Sequence, residues 1–488
     1  MKKKKQEHEW VRVVCCGVML GGFLLLGTAA QAQETATVDA QERQGLSLVV
    51  YQQNHALVTD IRTMTLPAGE STVVCTDVAS RIIPESVLLT AHGGSNDLRV
   101  LEQTFAYDLA NERAILEKYY GSTVVMVNEN KEQDRADRIE ATVMGGYPQW
   151  YYLINGELCG NPPGYTVFPD AEKRLALIPA LRWHLASEHG GDYVADISYL
   201  VDGMSWQADY SLSLDEGAGE ATVAAWITLH NDSGMAYHDA QVSVVAGDVS
   251  FVTPSPRTPP SPVFKRAAMM EAAVAADTAY NAAPSRAADY YRFDFPRKLT
   301  VPRYGEQNIH LFDQRRSTFE KEYSVRSAPV YAQQRSVQEE KVPVRVRLTF
   351  DNTEQNHLGI PLPQGTVRVY DSAGGARTCI GESVMQQVAA GDTAEIMLGS
   401  AFDVTAKRVQ TDYRQITSRQ YETAWRITLA NYREEAVMVS VYETMAGNWE
   451  LIESSQEGKK ESAAVLRFTV EVPAKGSEVL RYRVRMGM

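Results

Sequence analysis

Val344-Arg345-Val346-Arg347-Leu348-Thr349-Phe350 alternates strictly, with Val344, Val346, Leu348 and Phe350 on one face and Arg345, Arg347 and Thr349 on the other. Successive side chains of a strand point to opposite faces, so this stretch reads as a β-strand that buries one side and wets the other. The same period of two returns in residues 466–472 (Leu-Arg-Phe-Thr-Val-Glu-Val) and 480–484 (Leu-Arg-Tyr-Arg-Val). Half-buried alternation is the mark of antiparallel sheets rather than of doubly covered parallel ones. From Leu46 onward, strand follows strand across short turns with little helical spacing between them. The predicted fold is therefore all-β: two antiparallel β-sandwich units, a small SH3-like barrel insert and one short helix.

Working outward, an N-terminal sandwich is expected over 45–252, with the barrel inserted at about 121–170. The helix precedes that insert: Asp108 can cap it, Leu109, Ile115, Leu116 and Tyr119 form its apolar stripe, and Gly121 can end it. Within the insert, Asn155-Gly156 is a strong signal for a two-residue type I′ hairpin. Residues 253–288 read as a linker or long loop, with five prolines between Pro254 and Pro262 followed by an alanine- and methionine-rich run. A second sandwich is expected over 289–488, interrupted by the weakly patterned stretch Ser317–Glu340.

The first 32 residues carry a separate signal. Lys2 to Lys5, an apolar run from Val13 to Gly27, and Ala30-Gln31-Ala32 have the layout of a cleavable secretory leader cut before Gln33. The run is shorter than the roughly 18–20 residues that span a bilayer, and Cys15 and Cys16 stand at its start, where lipidation would need them at its end. An extracytoplasmic location, periplasmic or secreted, is expected, with no integral membrane span after cleavage. The leader holds five basic and two acidic side chains, so its removal takes the formal charge from −13 to −16. Nucleic acid is thereby a poor partner, because phosphate binding needs a basic face.

Past the leader only Cys75, Cys159 and Cys379 remain, too few for a disulfide framework and too far apart for a thiolate zinc site. No phosphate-cradling glycine loop, His-Glu-x-x-His or Gly-x-Ser-x-Gly elbow occurs. His184 and His189 stand five residues apart, an interval that suits neither one helical face nor one strand face, and His230 and His238 stand eight apart; all four read as loop histidines on a polar surface. No catalytic, metal or cofactor residue is nominated, and no cofactor is called for. One aromatic cluster is dense: Tyr147, Trp150, Tyr151 and Tyr152. Tyr147, Trp150 and Tyr152 are candidate ligand-stacking residues for a sugar, although adjacent aromatics in a strand alternate sides and core packing competes. The arginines 345, 347, 481, 483 and 485 could read an anionic glycan, or pair across strands with acidic side chains on a solvated face.

Motifs in all parts of the chain carry a family resemblance. They are residues 51–58 (Tyr-Gln-Gln-Asn-His-Ala-Leu-Val), Leu66-Pro67-Ala68-Gly69 and residues 84–87. Ser205-Trp206 with Tyr210, Asn231 to Gly234 and Val245 to Asp248 follow. The C-terminal half adds Asn352-Thr353, Gly359 to Tyr370, Gly381-Glu382 and Gly399 to Val404. This set resembles an exported bacterial family of unknown function that shares its conserved domain with mucoidy inhibitor A-like proteins. The resemblance implies an all-β, multi-domain envelope protein and brings no catalytic residue or cofactor with it. The expectation is a non-enzymatic envelope protein of unknown function that binds or scaffolds, its partner an envelope protein or a glycan. The alternatives are a carbohydrate-active or polysaccharide-processing factor and a structural or adhesive surface component.

Overall fold

The computed structural model describes residues 35–93, 97–109, 112–130, 135–145, 149–160, 162–251, 282–331, 338–371 and 376–487. The leader and linker residues 253–281 lie outside them. The described residues form β-strands in six sheets and two short α-helices, Glu112–Lys118 and Ala171–Arg174.

A four-, an eight- and a five-stranded sheet share a first core, which gathers Leu48, Val58, Trp183, Tyr199, Trp206, Ile227 and Phe293. A six- and a five-stranded sheet enclose a second core around Val325, Ile427, Val441, Phe468 and Tyr482. The alternating strand that opens the sequence reading, Val344–Asp351, joins the two. Its four apolar residues share one face, but Val344 and Val346 enter the second core while Leu348 and Phe350 enter the first. At about 1.5–3 kcal/mol for each large apolar side chain buried, this strand anchors the units to one another.

The division between units differs from the one expected at residue 289. Gly305–Thr318 pairs with Glu220–Asn231, and Gly365–Asp371 runs parallel to Met204–Asp215, so both belong to the first unit. Ala283–Ala287 is a strand paired with Tyr290–Asp294, so the linker ends before residue 288. Part of the stretch read as weakly patterned, Glu320–Arg326, is an inner strand between Val344–Asp351 and Val437–Thr444, with Tyr323 and Val325 turned inward. The pairing of Glu320–Arg326 with Val437–Thr444 is parallel, as is that of Met204–Asp215 with Gly365–Asp371. Parallel neighbours need long crossovers, which is why strands far apart in sequence complete each unit.

The insert is present, but the SH3-like barrel expected there does not close. Five strands form an open sheet in the order Glu157–Gly160, Tyr151–Ile154, Arg135–Gly145, Thr123–Asn130, Tyr165–Val167. Its outer strands are four and three residues long and do not pair with each other, so the sheet ends are not joined. Both short helices lie beside this sheet in sequence, and Leu116, Tyr119 and Leu175 pack with Val124, Val143 and Tyr152 into its own core. The Asp108 carboxylate accepts the Ala176 N–H at 2.8 Å, tying the two connectors of the insert together, while the two residues before the first helix, 110 and 111, lie outside the described residues. Asn155 and Gly156 both take positive φ, 51° and 85°, as the type I′ turn requires.

One device recurs through the sandwiches. Asn231, Asn352 and Asn431 are fully buried, each at the end of a strand, and each side chain bridges two chain segments. Asn231 donates to the carbonyls of Met235 and Pro302, both at 2.8 Å, and accepts the Ser233 N–H. Asn431 donates to Glu435 (2.8 Å) and Pro473 (3.2 Å) and accepts the Arg433 N–H. Asn352 donates to Ile360 (2.6 Å) and Ala389 (2.8 Å) and accepts the Gly359 N–H. Around the first two the register is identical with a shift of 200 residues: Met204 lies opposite Asn231 and Val404 opposite Asn431, while Tyr237 and Val437 begin the next strands. The sequences agree, Ile227-Thr228-Leu229-His230-Asn231 with Ile427-Thr428-Leu429-Ala430-Asn431, and Val301-Pro302 through Gly305 with Val472-Pro473 through Gly476. The segments 204–246 and 404–444 are thus two copies of one unit.

A buried amide with every group satisfied is costly to remove, since the carbonyls it served lose their donors. Asn431→Ala is expected to lower unfolding free energy by about 3 kcal/mol, read from the denaturant midpoint of the second unit. A loss below about 1 kcal/mol would show that the clamp is not structural.

Candidate functional site

Three of the family-like motifs, around residues 51–54, 245–248 and 363–366, meet at one end of the first unit although more than 300 positions separate the first from the last. The turn between Arg43–Tyr51 and His55–Leu66 presents Gln52 and Gln53 there. Gln53 donates to the Gly247 carbonyl at 3.0 Å, and Gln52 reaches the Gln364 carbonyl at 3.5 Å. Behind them Trp206 donates its indole N–H to Val245, and the buried Tyr210 hydroxyl donates to Pro363 at 2.8 Å. The loops of the motifs are therefore held by side-chain bonds rather than left to solvent. Gly365 is required at its position, because a Cβ there would stand 2.1 Å from the Ala208 carbonyl oxygen of the adjoining parallel strand.

These loops enclose a cleft of about 550 Å³ with an unusual lining: Gln52, Gln53, Gln207, Gln364, Gln386 and Gln387, together with Thr366 and one carboxylate, Asp248. Each glutamine amide offers donors and an acceptor without charge. The Gln53 Oε1 is buried and has no hydrogen-bond partner among the described residues. Such a surface suits a neutral ligand rich in hydroxyl or amide groups.

The sequence-nominated aromatics lie elsewhere. Tyr147 falls outside the described residues. Trp150 and Tyr152 line one cleft of about 590 Å³ on the insert, with Glu112, Arg113 and Gln149 at its rim. Tyr152 is only 5% exposed and belongs to the insert's core, which pushes its hydroxyl pKa up, so its ring is floor rather than platform. Tyr151 points to the opposite, exposed face, as alternation requires.

Three of the five stripe arginines, Arg347, Arg483 and Arg485, are tied into ion pairs. Arg347 pairs with Glu322 and Glu395, Arg483 with Asp412 and Glu453 at 2.7 and 3.1 Å, and Arg485 with Glu422 at 2.9 Å. The Glu322 carboxyl is held below its usual range by hydrogen bonds from Arg347, Ser440 and Tyr442 that outweigh the effect of its partial burial. His184 pairs with Glu70 and His230 with Asp232, each at 3.0 Å. Among the described residues no group of three or more His, Cys, Asp or Glu side chains is placed to hold a metal ion. Nor is any helix among them long and apolar enough to cross a membrane.

Fold and clefts together define a multi-sheet β protein with clefts between its loops. The profile of a domain of unknown function, DUF4139, matches residues 195–487, and the chain belongs to that family. No curated protein matches it. The match takes in both copies of the repeated unit and most of the glutamine cleft, whose Gln52 and Gln53 lie before it. Sequence reading passed over the glutamines because they come singly or in pairs from four separate regions; only the fold brings them together.

The three cysteines among the described residues are free and differ sharply in setting: Cys75 is buried and Cys379 exposed. Burial pushes the Cys75 thiol up to about 12, against the lowering effect of the nearby Arg62 guanidinium. Since the thiolate is the reactive form, alkylation of the native protein at pH 8 is expected to label Cys379 and spare Cys75. Mass spectrometry showing equal labelling of both would contradict the packing described around Cys75.

Proposed function

We propose that the protein is exported and acts outside the cytoplasm as a binding or scaffolding protein, without catalytic chemistry of its own, and that the glutamine cleft is its recognition surface. The observation that carries this reading is the convergence of the 51–54, 245–248 and 363–366 loops on one amide-lined cleft. The leader-like first 32 residues support the location. The resemblance of the motifs to exported mucoidy inhibitor A-like proteins points the same way. One carboxylate among six glutamines offers hydrogen bonds in plenty and little means of moving a proton. The ligand class that fits is an uncharged, hydroxyl-rich chain, as in a neutral envelope glycan, whose hydroxyls each pair with one donor and one acceptor.

Calorimetric titration with neutral oligosaccharides prepared from the native envelope tests this. Saturable binding by the intact protein is expected, weakened about tenfold or more by Gln207→Ala with Gln387→Ala. Turnover of the oligosaccharide, or binding that ignores both substitutions, would contradict the proposal.

A further inference from the structure

A third cleft, of about 620 Å³, lies at the root of the insert. One wall is made by the insert's two connectors, where Leu109 and Ile178 are 43% and 65% exposed. The facing wall belongs to the first unit and carries Met235, His238 and Arg303. The exposed apolar side chains Leu109 and Ile178 thus stand on one wall, with the half-buried Met235 on the other, an arrangement that suits an apolar ligand segment.

The charges in the cleft are unequally satisfied. Arg43 is neutralised by a bidentate pair with Asp60, at 2.9 and 2.8 Å, and the Asp77 carboxylate accepts the Ala40 N–H. Arg303 and His238 have no carboxylate partner among the described residues; Arg303 donates to the neighbouring Tyr304 hydroxyl at 3.1 Å and lies over the Tyr304 ring, 4.7 Å from its centroid. In a chain of net charge −13, a cationic end to an apolar groove is a local reversal of sign.

This arrangement is built rather than incidental. Asn231 fixes both parts of the facing wall at once, bonding the Met235 carbonyl in its own loop and the Pro302 carbonyl beside Arg303. Gly234, with φ at 87°, completes the loop where a Cβ would meet the Ser80 hydroxyl at 1.9 Å. The cation is therefore held on a clamped turn opposite the apolar wall.

We propose that this cleft takes an amphiphilic anion, specifically a long-chain carboxylate whose acyl tail lies along Leu109 and Ile178 and whose head group meets Arg303 and His238. Charge-assisted bonds from a guanidinium select the carboxylate, while burial of the chain supplies most of the affinity. The volume is within the range of ordinary small-molecule sites. The site is distinct from the glutamine cleft and does not depend on its ligand.

Fluorescence-displacement titration of the full chain with dodecanoate below its micellar concentration tests the proposal, with dodecanol and dodecyltrimethylammonium as comparisons. Dodecanoate is expected to bind saturably and about tenfold or more tighter than either. Arg303→Ala, at an exposed position that leaves the fold intact, is expected to remove that preference, and Ile178→Asp to weaken dodecanoate binding about tenfold. Hydrogen exchange in residues 107–109 and 177–179 is expected to slow when dodecanoate is bound. The proposal is overturned by equal affinity for the anionic and cationic amphiphiles or by an Arg303→Ala affinity within about twofold of the intact protein. Preferential binding of an apolar peptide with a free C-terminal carboxylate would overturn it as well.

Discussion

A single buried side-chain amide, used three times, is the constraint on which the sandwiches depend. Where a strand leaves one sheet and the chain turns toward the next, main-chain carbonyls leave the ladder and need other donors. Asn231, Asn352 and Asn431 supply the missing donors, and each accepts a loop N–H in return. Ser187 does part of the same work in the first unit, donating to the Pro67 carbonyl at 2.6 Å across from Gly69. The clamps also reach the candidate sites. The loop held by Asn352 runs on to Pro363, Gln364 and Gly365 of the glutamine cleft, and the loop held by Asn231 carries Met235 of the cleft at the insert's root.

Each core holds one ionic cluster besides. In the first, the fully buried Arg62 donates to Asp60 at 2.7 Å and to the carbonyls of Thr76 and Asp77, holding the chain where Gly69–Cys75 ends. In the second, Glu443 accepts from Arg408 at 2.6 Å and from the Tyr482 hydroxyl at 2.8 Å, with the Arg408 guanidinium 3.7 Å from the Trp425 ring centroid. Such pairs add little net stability over apolar packing, yet removing one partner strands the other.

Much of the fold was legible because the period of two is a local property. Val344 to Phe350 sits as its alternation demands, and Asn155-Gly156 turns as its side chains demand. What could not be read was long-range: the parallel pairing of Ala208 with Gly365, which moves residues 365–371 into the first unit, leaves no mark in either stretch. The closed barrel failed for a related reason, since closure depends on whether two short end strands meet. The repeat was in fact visible, in the 227–231 and 427–431 pentapeptides and the two Val-Pro turns, to a reading that compared the chain with itself. Of the site, the aromatics could be seen as a cluster but not sorted into the Tyr152 core and the Tyr151 surface, and the glutamines acquire meaning only where four loops meet.

The clamps are tested most directly at the loop amides they bind. Loop N–H groups ordinarily exchange with solvent rapidly, because no ladder protects them. Residue-resolved hydrogen exchange of the native protein should find the N–H groups of Ser233, Gly359 and Arg433, each donated to a buried asparagine carbonyl oxygen, protected to the level of the adjoining strands. Exchange of these three at the rate of exposed turns would contradict the account.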